Sequence, residues 1–129
     1  MATTKLTDED DEWHRYMRTL ELGLRFDHVA VEPRVREIIN ENLNGIPQRG
    51  LVLAMMGYLK DGNPLKEKDE DRDWIIEQGG THHHDLSPVV TNGKAIYVET
   101  IFDDHEDDED RRQITIVSIK PNGRYHWGK

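Results

Sequence analysis

Leu86 to Phe102 reads L-S-P-V-V-T-N-G-K-A-I-Y-V-E-T-I-F, and the Asn92-Gly93 pair near its middle decides the fold. Asn-Gly between two runs rich in β-branched residues is the strongest short hairpin signal, because both central residues of a type I′ turn need positive φ. The flanks, Leu86 to Thr91 and Lys94 to Phe102, are therefore expected as paired strands. Side chains alternate along a strand, so Ile96, Val98 and Phe102 fall on one side and Tyr97, Glu99 and Ile101 on the other. Downstream, Gln113 to Lys120 supplies a third strand, and Pro121-Asn122-Gly123 turns it into a short fourth, Arg124 to Trp127.

Upstream of Gly80 the texture is helical. Thr7 and Asp10 form a capping-box variant with acids in the first turn, where the helix dipole favours them. Trp13, Met17, Leu20 and Leu24 then follow at helical spacing. Leu20, Leu22, Leu24 and Phe26 also alternate as a strand would, and Gly23 weakens a helix, so the helix is expected to end near Leu22. Pro33 suits the first turn of a second helix striped by Val35, Ile38, Ile39 and Leu43 and stopped by Asn44-Gly45. Leu51 to Leu59 is apolar on every side, and its alanine and two methionines favour helix. After the turn Asp61-Gly62-Asn63-Pro64, another helix is expected through Trp74, Ile75 and Ile76 to Gly79-Gly80.

Helices first and antiparallel strands afterwards is the α+β pattern. The expectation is one domain over residues 1–129, with N-terminal helices (7–80) packed on one face of a C-terminal antiparallel β-meander of about four strands (86–127). A chain of 129 residues buries roughly two thirds of its unfolded surface, enough for a core without staples. The absence of cysteine excludes disulfides, thiolate metal sites and cysteine nucleophiles. Met1 to Thr7 has no apolar signal segment and Leu51 to Leu59 is too short to cross a bilayer, so a cytoplasmic location without membrane contact is expected.

The formal charge of −9 disfavours nucleic acid and anionic membranes as direct partners and favours basic proteins and cations. Seven histidines, fully protonated, would carry that charge to −2, so electrostatic binding should respond to mild acid. The anions are also clustered. Asp103 to Asp110 (D-D-H-E-D-D-E-D) holds seven carboxylates in eight residues, Asp8 to Glu12 holds five, and Glu67, Asp69, Glu70, Asp71 and Asp73 make five more. Seventeen of the twenty-six acids thus lie in three short stretches.

A loop joining two strands needs only two to five residues, so the long 103–110 connection calls for a reason beyond connectivity. One reading is a solvated tip that suppresses edge pairing. The other is contact: an extended chain at about 3.3 Å per residue would set one carboxylate every ~3.8 Å, near the ~3.4 Å phosphate spacing of a nucleic-acid strand. The partner-binding residues expected on that reading are Asp103, Asp104, Glu106, Asp107, Asp108, Glu109 and Asp110, with Tyr125 and Trp127 as aromatic anchors.

Thr81-His82-His83-His84-Asp85 is the metal candidate. In extended chain His82 and His84 point to one side, and Asp85 or His105 would add a third ligand if the fold brings it near. A histidine triplet beside Gly-Gly also reads simply as surface loop. Neither serine, Ser87 or Ser118, has a nucleophile-elbow context, and Gly45 to Gly50 lacks the lysine of a phosphate-binding loop. Three functions follow as expectations. The first is a non-enzymatic acidic binding protein of inhibitor, immunity or anti-defence type, cofactor-free, engaging the basic surface of a nucleic-acid-handling enzyme or toxin through 103–110. The second is a divalent-metal binder or metal-dependent hydrolase using His82, His84 and Asp85. The third is a binder of a small phosphorylated ligand, held by arginines.

Overall fold

The computed structural model describes residues 11–68, 72–91 and 93–121. Helix α1 runs Glu12–Leu22. Its first donors are met by Asp11, whose side chain accepts from the Trp13 amide at 2.7 Å. The capping residues read from sequence, Thr7 and Asp10, lie outside the described residues, as does the Arg124 to Trp127 segment. Arg15, Tyr16, Met17, Thr19 and Leu20 are buried, a broader face than the Trp13 and Leu24 spacing implies. Gly23 is needed for close approach and not for its backbone angles, since a Cβ there would collide with Val29 Cγ2.

Helix α2 spans Pro33–Asn42 with proline in its first turn. It stops where expected, at Asn44 and Gly45, both at positive φ (58° and 66°). Helix α3, Gln48–Lys60, takes up the apolar Leu51 to Leu59 run, with Leu51, Val52, Met55, Met56, Tyr58 and Leu59 buried.

The strands are β1 (Val29–Val31), β2 (Lys66–Lys68), β3 (His82–Thr91), β4 (Lys94–Asp103) and β5 (Gln113–Pro121). They form one five-stranded sheet in the order β1-β5-β4-β3-β2. The β3–β4 hairpin is the one that Asn92-Gly93 announces, closing at Thr91 opposite Lys94. The sheet is mixed and not a pure meander, because β1 pairs parallel with β5. A three-residue strand is too short to show alternation, and a parallel partner arrives only after a long crossover. The helix expected from Pro64 divides into β2 and a short α4, Arg72–Glu77. Lys66-Glu67-Lys68 has no apolar residue to reveal it, and lysines at a sheet edge discourage further pairing.

The main core lies between α1, α2 and α3 and one sheet face carrying Leu86, Val89, Ile96, Val98, Phe102, Ile114, Ile116 and Ile119. Burying a side chain such as Phe102 stabilises by about 2 kcal/mol. The opposite face is not bare: Ile75 of α4 packs on Ile101 and Val117, with Trp74 alongside. Helices therefore cover parts of both faces, a correction to the one-sided expectation. The β4 side chains divide as their alternation predicts, Ile96, Val98 and Phe102 towards the main core and Ile101 towards α4.

Candidate functional site

The acidic loop is folded. After Asp103 ends β4, the chain turns at Glu106 and Asp107 and enters a 3₁₀ turn, Glu109–Arg111, capped by the Asp108 side chain. Asp104 points inward with no exposed side-chain surface. Arg15 Nε donates to both of its oxygens at 3.1 Å and Arg15 Nη2 to one at 3.0 Å. Those bonds raise the Arg15 pKa, the guanidinium proton being held by the carboxylate it faces. Arg112 stands 3.7 Å from the other Asp104 oxygen and donates to the carbonyls of His105 and Glu106 at 2.9 Å each. Arg18 donates to Glu109 at 3.1 Å, and His105 pairs with Asp103 at 3.0 Å.

The seven carboxylates thus have unequal roles. Asp103, Asp104 and Glu109 pair with cationic side chains or histidine within the protein, Asp108 is exposed while its side chain accepts from the Asp110 amide, and Glu106, Asp107 and Asp110 are exposed. The evenly spaced, extended row that would imitate a phosphate backbone is not formed, because turn and 3₁₀ geometry shorten the path. Tyr125 and Trp127 lie outside the described residues.

The histidine triplet is strand and not loop, since β3 pairs with β4 from His82 opposite Phe102 onwards. Gly80 lets the chain enter that strand: a Cβ there would collide with Ile101 Cγ2. Strand alternation then separates the triplet. His82 and His84 face α1, with rings stacked at 5.7 Å between centroids, and Tyr16 and Phe102 pack around His84. His83 and Asp85 face the α4 side, where Trp74 lies 5.1 Å from the His83 ring. The expected set of His82, His84 and Asp85 is therefore not brought together.

Each face completes its cluster with residues that carry no motif in the sequence. Register decides which. Glu67 of β2 pairs with His84, and Lys68 pairs with His83. On the α1 side, Glu12, Glu67 and His84 bring ligand atoms within 4.8 Å of one another. His84 Nε2 donates to Glu12 at 2.5 Å, and His82 Nε2 is 3.9 Å from an oxygen of each glutamate. The Glu12 pKa is lowered chiefly by the His84 hydrogen bond, against the opposing effect of burial.

On the α4 side, His83, Asp85 and Glu99 form the matching cluster. Asp85 and Glu99 are direct cross-strand neighbours, a like-charge pair that needs a cation. Lys68 supplies it, with Nζ 3.6 Å from each carboxylate and a hydrogen bond to Tyr97. The Tyr97 hydroxyl donates to Asp85 at 2.5 Å, and its pKa is pushed up to about 12, by burial first and then by that bond.

An open groove of about 520 Å³ is lined by Arg18, Arg25, Arg49, Leu24, Phe26 and Met56. It offers guanidinium groups beside an exposed aromatic ring. Among the described residues no helix is long and apolar enough to cross a membrane. Comparison with protein-family models, curated proteins and solved structures finds no match for the chain.

Proposed function

We propose that this chain is a non-enzymatic acidic binding protein whose 103–110 loop engages a basic surface of a partner protein. An inhibitor or immunity role against a nucleic-acid-handling enzyme or toxin fits best, because such a partner presents cations shaped for a polyanion. The supporting observation is the loop's construction: Arg15, Arg18 and Arg112 anchor its backbone and inner acids, and Glu106, Asp107, Asp108 and Asp110 are left facing solvent. Anchoring settles the ordering cost before association, so the outward charges act on encounter rate and specificity.

The test is capture from a lysate at low salt, comparing the natural chain with a variant carrying E106Q, D107N, D108N and D110N. The four side chains are exposed, and asparagine retains the capping oxygen at position 108. A basic protein that the natural chain retains, that salt elutes and that the variant fails to hold is the expected result. Equal retention by both chains refutes the loop's role.

A further inference from the structure

The geometry points to a divalent-cation site formed by Glu12, Glu67, His82 and His84, where α1, β2 and β3 meet, independent of the acidic loop and its partner. Imidazole nitrogen and carboxylate oxygen are the donors that transition ions of the zinc, iron and manganese class accept. An ion bonded at about 2.0–2.1 Å keeps such ligands roughly 3.3 Å from one another. The observed separations, 2.5 Å between His84 and Glu12 and 3.9 Å from His82 to each glutamate, lie on either side of that value.

The chemistry of His82 supports the assignment. The Thr81 hydroxyl donates to the Phe102 carbonyl at 3.0 Å and so turns a lone pair towards His82 Nδ1, 2.8 Å away. It is also held by the Asp104 amide at 3.0 Å. In this arrangement the Thr81 oxygen accepts from His82 Nδ1, which turns the Nε2 edge of the ring towards both glutamates, 3.9 Å from an oxygen of each. A hydrogen-bond partner on the distal ring nitrogen is how ligating histidines are held in tautomer and orientation.

The opposite face of β3 provides the internal comparison. There too a histidine meets two acids, yet the Lys68 ammonium already stands between them. Among the described residues, the groups facing the glutamates on the α1 side are imidazoles, with Arg15 contributing a longer-range pull on Glu12. The side chains of Glu67 and His82 are 44% and 25% exposed, so an ion can enter from solvent without unfolding the core.

Calorimetric titration of the chelator-stripped full chain with zinc chloride tests the site. One equivalent should bind, and H82A and E67Q should each weaken binding by about 100-fold or more, at least as much as losing the hydrogen-bond partner of a ligand. H105A, which alters the His105–Asp103 pair of the acidic loop, should leave affinity unchanged. In the natural chain, cobalt should broaden the NMR ring signals of His82 and His84 and spare that of His105, a readout that needs no variant to fold. Zinc heat absent at micromolar concentration, affinity unchanged in H82A and E67Q, or affinity lost in E99Q instead would each overturn the assignment.

Discussion

The acidic loop and the α1-side face of the histidine strand are both rich in carboxylates, and they differ in what answers the charge. In the loop the answer is chiefly arginine, permanently charged: Arg15 and Arg112 on Asp104 and Arg18 on Glu109, with His105 on Asp103 at its start. Around Glu12 and Glu67 it is imidazole, which can be a cation, a neutral donor or a metal ligand. The first arrangement is fixed and shapes the chain. The second is adjustable and is the one proposed to take an ion. Density of acids along the sequence therefore does not separate carboxylates held in fixed ion pairs from those facing exchangeable groups, and the identity of the facing cation does.

The difference can be broken most sharply at Asp104. Replacing it with alanine takes from the buried Arg15 guanidinium the carboxylate that it faces, and removal of one partner from such a pair costs about 3–5 kcal/mol. Chemical denaturation should show that loss, and a cost under about 1 kcal/mol would mean the pair does not hold the loop. Next in size is the adjustable face, where zinc at a hundred times its dissociation constant should stabilise the natural chain by about 2.7 kcal/mol. Thermal unfolding with and without zinc measures it, and in E67Q, with binding about 100-fold weaker, the increment should fall to about 0.4 kcal/mol or less. The smallest effect is expected at the loop's outer pair. Glu109→Gln removes an ion pair with Arg18 in which both side chains are over 40% exposed, so denaturation should register only ~0.2–1 kcal/mol, shrinking further in salt.

Much of the fold was legible because its signals are local. Pro33, Asn44-Gly45 and Asn92-Gly93 act through their own backbone requirements, and the positive φ values at Asn44, Gly45 and Gly93 report it directly. The edge strands β1 and β2 were not legible. Three residues cannot show a period, and their place is set by partners far along the chain, Ile114 to Ile116 for β1 and His83 to Asp85 for β2. The site suffered for the same reason. His82 and His84 stood out as neighbours two apart, whereas Glu12 and Glu67 join them only through a helix start and a strand register. Asp85, adjacent in sequence, was a misleading companion, since odd spacing along a strand sends it to the other face. The loop's folded path is not legible either, because nothing in D-D-H-E-D-D-E-D announces that Arg15 and Arg18, some ninety positions earlier, take hold of it.

The three-residue length of β2 bears on which changes in chain length the protein can accept. The turn before it is clamped, with the Tyr58 hydroxyl donating to the Pro64 carbonyl at 2.6 Å and the Asn63 amide to the Tyr58 carbonyl at 2.9 Å. Adding or deleting one residue there, unless it is absorbed as a bulge, would place a lysine against the α1-side histidines and Glu67 beside Asp85 and Glu99. A two-residue change keeps every side chain on its own face. Surface turns ordinarily tolerate insertions of any size, but this one discriminates between odd and even.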